Sequence, residues 1–342
     1  MKKLNVLSLF DGISAGRVAL ERAGIEVNNY YASEVDKYAI SISNKNYPDI
    51  IQLGDVTKWN EWGIDWSSID LVTGGFPCQT WSLAGNQLGD KDTRGQLFWV
   101  LLDIIKTVLD VNPQVKFLME NVKMKKEFEE YITFHTEQAL GEVHKHLINS
   151  SLVSAQSRKR FYWTNIPNIT QPEDKGIVLK DVILDDVEEK YYLTAEVVDY
   201  MSRLGNGKPR WEYQKNSIDD NSACLTTRYK GVPYGVLRIP EATKKGYVEL
   251  NENEGIDLTH FKSKTRRGRL MKYKSNCLTV NGFEYCWYDG YICRKLTPLE
   301  CERLQTFPDK YTEGVSNSQR YKALGNSWTV DVISHIFKEI KR

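Results

Sequence analysis

The stretch Leu4–Gly24, LNVLSLFDGISAGRVALERAG, decides the fold. Its opening, LNVLSLF, is a short apolar run that reads as a strand. SAGRVALERAG then places its apolar residues at helical spacing and closes on Gly24. The order repeats downstream. VNNYYAS (27–33) reads as a second strand, and VDKYAISISNKNYP (35–48) as a helix stopped by Pro48. DIIQL and IDLVTGG read as further strands, QLFWVLLDIIKTVLD has helical spacing, and VKFLMEN is strand-like again. Strands alternating with helices predict an α/β fold whose parallel sheet is covered on both faces.

Beyond this region the chain changes texture. From about Pro167 to Cys293 it is irregular, punctuated by Gly, Asn and Asp and rich in tyrosine. Helical patterns return at TPLECERLQTF and TVDVISHIFKEI. The organisation expected is a first domain over 1–168, a looser inserted region over 169–293, and a return over 294–342 that completes the first domain. SACLTT (222–227) and SNCLTV (275–280) echo each other as similar strands, or by chance; two copies do not make a solenoid.

Composition narrows the class. The 342 residues are 41% hydrophobic and 27% charged, as in a globular protein with a sizeable core. No apolar run is long enough to span a bilayer and no signal-peptide pattern opens the chain, so a cytoplasmic location is expected. The six cysteines form no CxxC pair and no zinc-ligand spacing, so no metal site is expected. A net charge of +1 leaves any nucleic-acid surface to be local.

The turn FDGISAG joins a strand to a helix N-terminus, a common place for a nucleotide-like ligand. Its only glycines are Gly12 and Gly16, so it is not GxGxxG, and a plain tight turn explains it as well. Glu34 ends the second strand, where an acid can accept hydrogen bonds from ribose hydroxyls, and Asp55 follows the third strand. Together these acids at the carboxyl edge of the sheet favour an adenosine-containing cofactor.

Cys78 follows the fourth strand in GGFPCQTW. Pro77 imposes an extended approach and a sharp turn. A cysteine here is either a buried small hydrophobe or a nucleophile whose thiolate fraction is raised by a cation or turn amides. A zinc deaminase would need P-C-x-x-C, and residue 81 is Trp. None of the five histidines stands in an obvious relation to Cys78. LMENV sets Glu120 and Asn121 at the end of another strand, and QSRKRFYW sets Arg158 and Arg160 on one face if extended. Two guanidiniums so placed suit an anion or a polarised carbonyl.

With PCQ, ENV and QSRKR in this order, the chain resembles the DNA cytosine-5 methyltransferases. RKLTPLECERLQTFPDKY (294–311) and ALGNSWTVDVI (323–333) look like that family's two late motifs, so the resemblance covers roughly 4–165 and 294–340. It implies a Rossmann-like S-adenosylmethionine-dependent methyltransferase sheet with an inserted, irregular target-recognition domain. S-adenosylmethionine would be the cofactor. Phe10 would pack on the adenine, Asp11, Gly12 and Ile13 would hold the amino-acid end, and Glu34 would bind the ribose. Val35 would flank the adenine, Asp55 would accept from its amino group, and Val56, Gly75, Pro77, Asn326, Ser327 and Trp328 would complete the site. Cys78 would attack C6 of a flipped cytosine, Glu120 would contact N3 and the exocyclic amine, Asn121 would position the loop, and Arg158, beside Arg160, would contact the base carbonyl. The first motif, with Ser14 and Ala15 where bacterial enzymes have more glycine, looks like the vertebrate de novo branch. GGFPCQ and the long late motif are of bacterial or phage type.

The segment after Cys78 looks like a lid, with Gln79, Ser82 and Arg94 as DNA contacts, or else an ordinary surface loop. FKSKTRRGRLMKYK (261–274) holds seven basic residues and no acid, so Lys264, Arg266, Arg267 and Arg269 are expected on phosphates; a solvated loop is the alternative. Arg228 in TTRYKG is a candidate for a guanine edge. The expected partner is double-stranded DNA, with a cognate restriction endonuclease as a candidate second partner, no membrane, and a monomeric state. Rival readings are a tRNA cytosine-5 methyltransferase, a catalytically silent DNA-binding regulator and, more distantly, a nicotinamide oxidoreductase.

Overall fold

A computed structural model describes residues 2–77, 95–192, 237–251, 253–259, 265, 269–278, 285–288 and 293–341. The first elements follow the sequence pattern closely: β1 (Leu4–Leu9), α1 (Ala15–Arg22), β2 (Val27–Ser33), α2 (Lys37–Asn46), β3 (Ile51–Gln52), β4 (Leu71–Gly74), α3 (Leu97–Val111) and β5 (Lys116–Val122). Then come α4 (Lys126–Leu140), β6 (His144–Asn149) and β7 (Lys159–Thr164). They form one seven-stranded sheet in the order β3-β2-β1-β4-β5-β7-β6.

The strands β1 to β5 are parallel, as the alternation predicted. β7 runs antiparallel to both β5 and β6. The reason is the connection from Asn149 to Lys159, which is too short for a helical crossover, so the chain turns back on itself. That reversal brings the start of β7 to the carboxyl end of β5, pairing Arg160 with Val122 and Tyr162 with Glu120.

Strand alternation divides the core into two layers. Leu7, Leu9, Val72, Phe117, Met119, Phe161 and Trp163 pack with the buried side of α3. Val6, Tyr30, Leu71, Leu118 and Tyr162 pack with α1 and the C-terminal helices. Glu120 shares the parity of Leu118, so its side chain is directed to the C-terminal layer.

That layer is built by α5 (Pro298–Leu304), α6 (Asn317–Asn326) and α7 (Val330–Phe337). Thr297 caps α5 in a reciprocal box: its hydroxyl accepts from the Glu300 amide at 3.2 Å, and Glu300 accepts from the Thr297 amide at 2.6 Å. α7 buries Val330, Val332, Ile333, Ile336 and Phe337 and packs on α1. These C-terminal helices are thus a packed layer of the same core.

Among its described residues, the intervening region contains two small antiparallel sheets. β8 (Leu237–Pro240) pairs with β9 (Tyr247–Leu250). β10 (Glu254–Asp257), β11 (Leu270–Met271), β12 (Tyr285–Tyr288) and β13 (Cys293–Lys295) form the order β11-β10-β12-β13. β13 joins the late motif directly: Arg294 makes a forked ion pair with Glu300 at 2.7 and 3.0 Å, both side chains buried. No helix among the described residues is long and apolar enough to cross a membrane.

Candidate active site

The carboxyl edge of the parallel strands opens on a cavity of about 430 Å³. Each strand end supplies part of its wall. The loop after β1 gives Phe10, Gly12 and Ile13; after β2, Glu34 and Val35; after β3, Asp55 and Val56; after β4, Gly75 and Pro77. Glu120, Arg158 and Arg160 line it too, and Asn326 reaches in from α6. Successive strand ends at a topological switch point are where open α/β sheets place ligands, and here the switch falls between β1 and β4.

The first turn is tight for its composition. Phe10 and Ser14, neither of them glycine, both adopt left-handed backbone angles (φ 55° and 59°), a conformation that costs free energy and concentrates at functional sites. Ser14 is held there by its hydroxyl, which donates to Asp11 at 2.6 Å and approaches the Ser43 hydroxyl at 2.9 Å. Glu34 ties the next loop to this turn. One of its oxygens accepts from the Gly12 amide at 2.8 Å, and the other from the Val35 and Asp36 amides at 2.7 and 2.8 Å. Asp55 uses one oxygen for the Thr57 amide and hydroxyl, which lower its pKa below the usual carboxylate range.

Asp11 departs from its expected place. It does not line the cavity. Its carboxylate lies beneath the turn, accepting from the Tyr30 hydroxyl at 2.8 Å as well as from Ser14, and burial pushes its pKa up. Ser327 and Trp328 also stand off the cavity wall. The Ser327 carbonyl accepts from Arg158 at 2.8 Å. The Trp328 indole donates to Glu120 at 3.1 Å. Gly75 makes room for that contact: a Cβ there would meet Glu120 Oε2 and Trp328 Nε1, each at 3.0 Å.

Glu120, 8% exposed, is held from two sides. Oε2 takes the Trp328 N–H, and Oε1 pairs with Arg160 Nε at 2.9 Å. Asn121 donates to the Phe76 carbonyl at 3.1 Å, fixing the loop that leads to Pro77. Arg158, expected at the base carbonyl, is engaged elsewhere. Arg158 donates to the carbonyls of Leu278, Gly325 and Ser327 and to the Cys277 sulfur, so its guanidinium ties the C-terminal layer to the small sheet's connection. Arg160 is the one that meets Glu120.

Cys78, Gln79, Ser82, Arg94, Arg228, Lys264, Arg266 and Arg267 lie outside the described residues. Arg269 is described and is 4% exposed, its carbonyl accepting from the Asp257 amide. It is buried beside β10, not on the exposed basic surface expected of it.

Sequence reasoning named Asn326 of α6 but missed Gln319 and Lys322 of the same helix, which also line the cavity. Lys322 pairs with Asp36, the N-cap of α2, at 2.6 Å. It missed Cys277 as well. The signal was absent in both cases, because the partners are far apart in the chain.

A family model described as C-5 cytosine-specific DNA methylase matches residues 4–342. The type II methyltransferase M.HhaI of Haemophilus parahaemolyticus is 30% identical, over 97% of this chain and 93% of its own length. The orphan methyltransferase M.SPRI of Bacillus phage SPR is 29% identical, over 99% and 98%. Among solved structures, the Entamoeba histolytica methyltransferase EhMeth superposes with a TM-score of 0.62 at 17% identity, covering 99% of this chain and 98% of its own. A putative DNA modification methyltransferase encoded within an Escherichia coli prophage gives 0.61 at 18%, with 99% of both chains covered. These structural likenesses concern the fold.

Proposed function

From the premise that the chain belongs to the C-5 cytosine-specific DNA methylase family, we propose that it transfers a methyl group from S-adenosylmethionine to C5 of a cytosine flipped out of duplex DNA. The observation that carries this reading is the juxtaposition of two halves. A cavity edged by Glu34 and Asp55 runs into a buried Glu120–Arg160 pair beside Pro77, the residue before Cys78.

The cavity's chemistry fits an adenosine-containing ligand. Glu34, its carboxylate fixed by three amides, faces the space as an acceptor for ribose hydroxyls. Asp55 keeps one oxygen outside its Thr57 contacts for an amino group. Phe10 and Val35 offer apolar surface for a ring. When bound, S-adenosylmethionine supplies the electrophilic methyl group.

The protein's own residues do the rest. A duplex hides C5 and C6, so the base must leave the stack at a cost of a few kcal/mol. Cys78 attacks C6 and forms a covalent bond, which makes C5 nucleophilic. Glu120 contacts N3 and the exocyclic amine, and stabilises the charge that develops on the ring. Arg160 orients Glu120 and offers its guanidinium to the base carbonyl. Loss of the C5 proton after methylation releases Cys78. The names of the relatives include both type II and orphan enzymes. The same chemistry serves either beside a cognate endonuclease or alone.

The test is methyl transfer from labelled S-adenosylmethionine to duplex DNA and to tRNA in parallel. Label in duplex DNA, lost in Cys78→Ala with DNA binding retained, is the expected result. Label in tRNA alone, or transfer surviving Cys78→Ala, overturns the reading.

A further inference from the structure

One side chain beside the candidate site has no place in the mechanism above. Cys277 leads out of the four-stranded sheet's connection between β11 and β12. Its sulfur lies 3.0 Å from Arg158 Nη1 and 3.4 Å from Arg160 Nη2. Sulfur is an unusual bridge between two guanidiniums. Two like charges brought together need a compensating acceptor between them. The sulfur is also within 3.4 Å of the Leu278 carbonyl, a contact the thiol form makes as donor while its lone pairs accept from the arginines. Burial on its own would push the thiol's pKa up. Arg158 and Arg160 more than offset this, and it lies below its ordinary value.

The contacts form a continuous chain. Trp328 donates to Glu120, Glu120 pairs with Arg160, Arg160 and Arg158 meet on Cys277, and Arg158 is pinned to the Gly325 and Ser327 carbonyls. Arg158 is thereby fixed by backbone. Arg160, the arginine that touches Glu120, donates through Nη1 to the Lys159 carbonyl at 2.9 Å and through Nη2 to the sulfur, which ties it to Arg158. Tyr285 donates to the Cys277 carbonyl, which holds the residue in place from the small sheet.

We propose that Cys277 is a positioning residue: its sulfur holds the Arg160 guanidinium against Glu120, and so links the small antiparallel sheet to the catalytic carboxylate. The proposal rests on the methyl-transfer reading of the same site. It assigns no bond-making step to Cys277. It does say that the region outside the catalytic sheet supplies part of the catalytic geometry, through one side chain.

The test compares the full chain with Cys277→Ala, which removes the acceptor, and Cys277→Ser, which restores one. Transfer to duplex DNA is followed as kcat and KM, with S-adenosylmethionine affinity and thermal unfolding measured beside it. Cys277→Ala is expected to lower kcat roughly tenfold or more, the scale of a lost hydrogen bond to a charged group. KM for DNA and cofactor affinity stay within about twofold of wild type, and Cys277→Ser recovers most of kcat. Combined with Arg160→Lys, Cys277→Ala should add little, since both changes break the same link. Wild-type kcat in Cys277→Ala overturns the proposal. So does a loss that Cys277→Ser fails to recover, or full additivity with Arg160→Lys. If Cys277→Ala does not fold, Cys277→Val, which fills similar space without an acceptor, takes its place under the same criteria. A wild-type protein that labels no DNA is a different failure, that of the methyl-transfer reading itself.

Discussion

At the residue scale, the site turns on Glu120. Its two oxygens are committed to different partners, Arg160 on one side and Trp328 on the other, so the carboxylate is preorganised and buried. Preorganised charge of this kind is usually the largest single contribution to catalysis. Glu120→Gln keeps the shape and an acceptor for Trp328 but removes the charge facing Arg160. We expect methyl transfer to fall at least about a hundredfold, with S-adenosylmethionine binding, read by calorimetry, nearly unchanged. A variant within threefold of wild type would show that Glu120 is structural. Much of this scale was legible: Glu120, Asn121, Glu34 and Asp55 each stand at a predicted strand end, and the carboxyl edge gathers them. The division of labour between Arg158 and Arg160 was not. Two residues apart on an extended chain, they share a face, but only the fold says that Gly325 and Ser327 come down on the first of them.

At the element scale, the loop after β4 and helix α6 set the cavity's dimensions. Gly75 is where the backbone, Glu120 and Trp328 pack within reach of one another. Gly75→Ala forces a Cβ to within 3.0 Å of both side chains, so the Trp328–Glu120 hydrogen bond must shift. The expected result is a clear loss of kcat with a modest loss of stability, about 1–3 kcal/mol. Urea unfolding measured beside activity separates the two. α6 contributes through Lys322. Burial pushes the Asp36 carboxyl up, but Lys322 and the amides of Tyr38 and Ala39 pull it down further, so its folded pKa lies below its unfolded one. Stability from such a group is present above the unfolded pKa and is lost as pH falls through the folded value. Lys322→Met should therefore cost a little stability at neutral pH, within about 1 kcal/mol for so exposed a pair. The gap from wild type should close as the pH is lowered below about 4. A gap that widens on acidification contradicts the assignment. The alternation of β1 to β5 with helices was plain from apolar periodicity. β7's reversal was not, because periodicity reports burial and not strand direction; a short connection was the only hint.

At the scale of the whole molecule, the C-terminal helices pack back onto the core of the seven-stranded sheet. The seam is Arg294–Glu300, a forked and buried pair at the junction of β13 and α5, with Arg294 also donating to the Leu184 carbonyl at 2.9 Å. Arg294→Met leaves Glu300 as an uncompensated buried charge. The expected cost is about 3–5 kcal/mol, seen as a drop of several degrees or more in the thermal midpoint, and an unchanged midpoint would contradict the seam. The return of helical spacing at TPLECERLQTF could be read in the sequence and forms α5. The basic tract shows where such reading stops. Arg269 belongs to a run of basic residues, yet packing around β10 takes it out of solvent, and charge composition is blind to burial. The central claim for the whole molecule is cytosine methylation in duplex DNA. It is tested most directly by expressing the protein in a methylation-free host and mapping modified cytosines by bisulfite sequencing. The account predicts 5-methylcytosine at one recurring sequence context, absent with Cys78→Ala. Unmodified DNA from cells holding folded wild-type protein would contradict it.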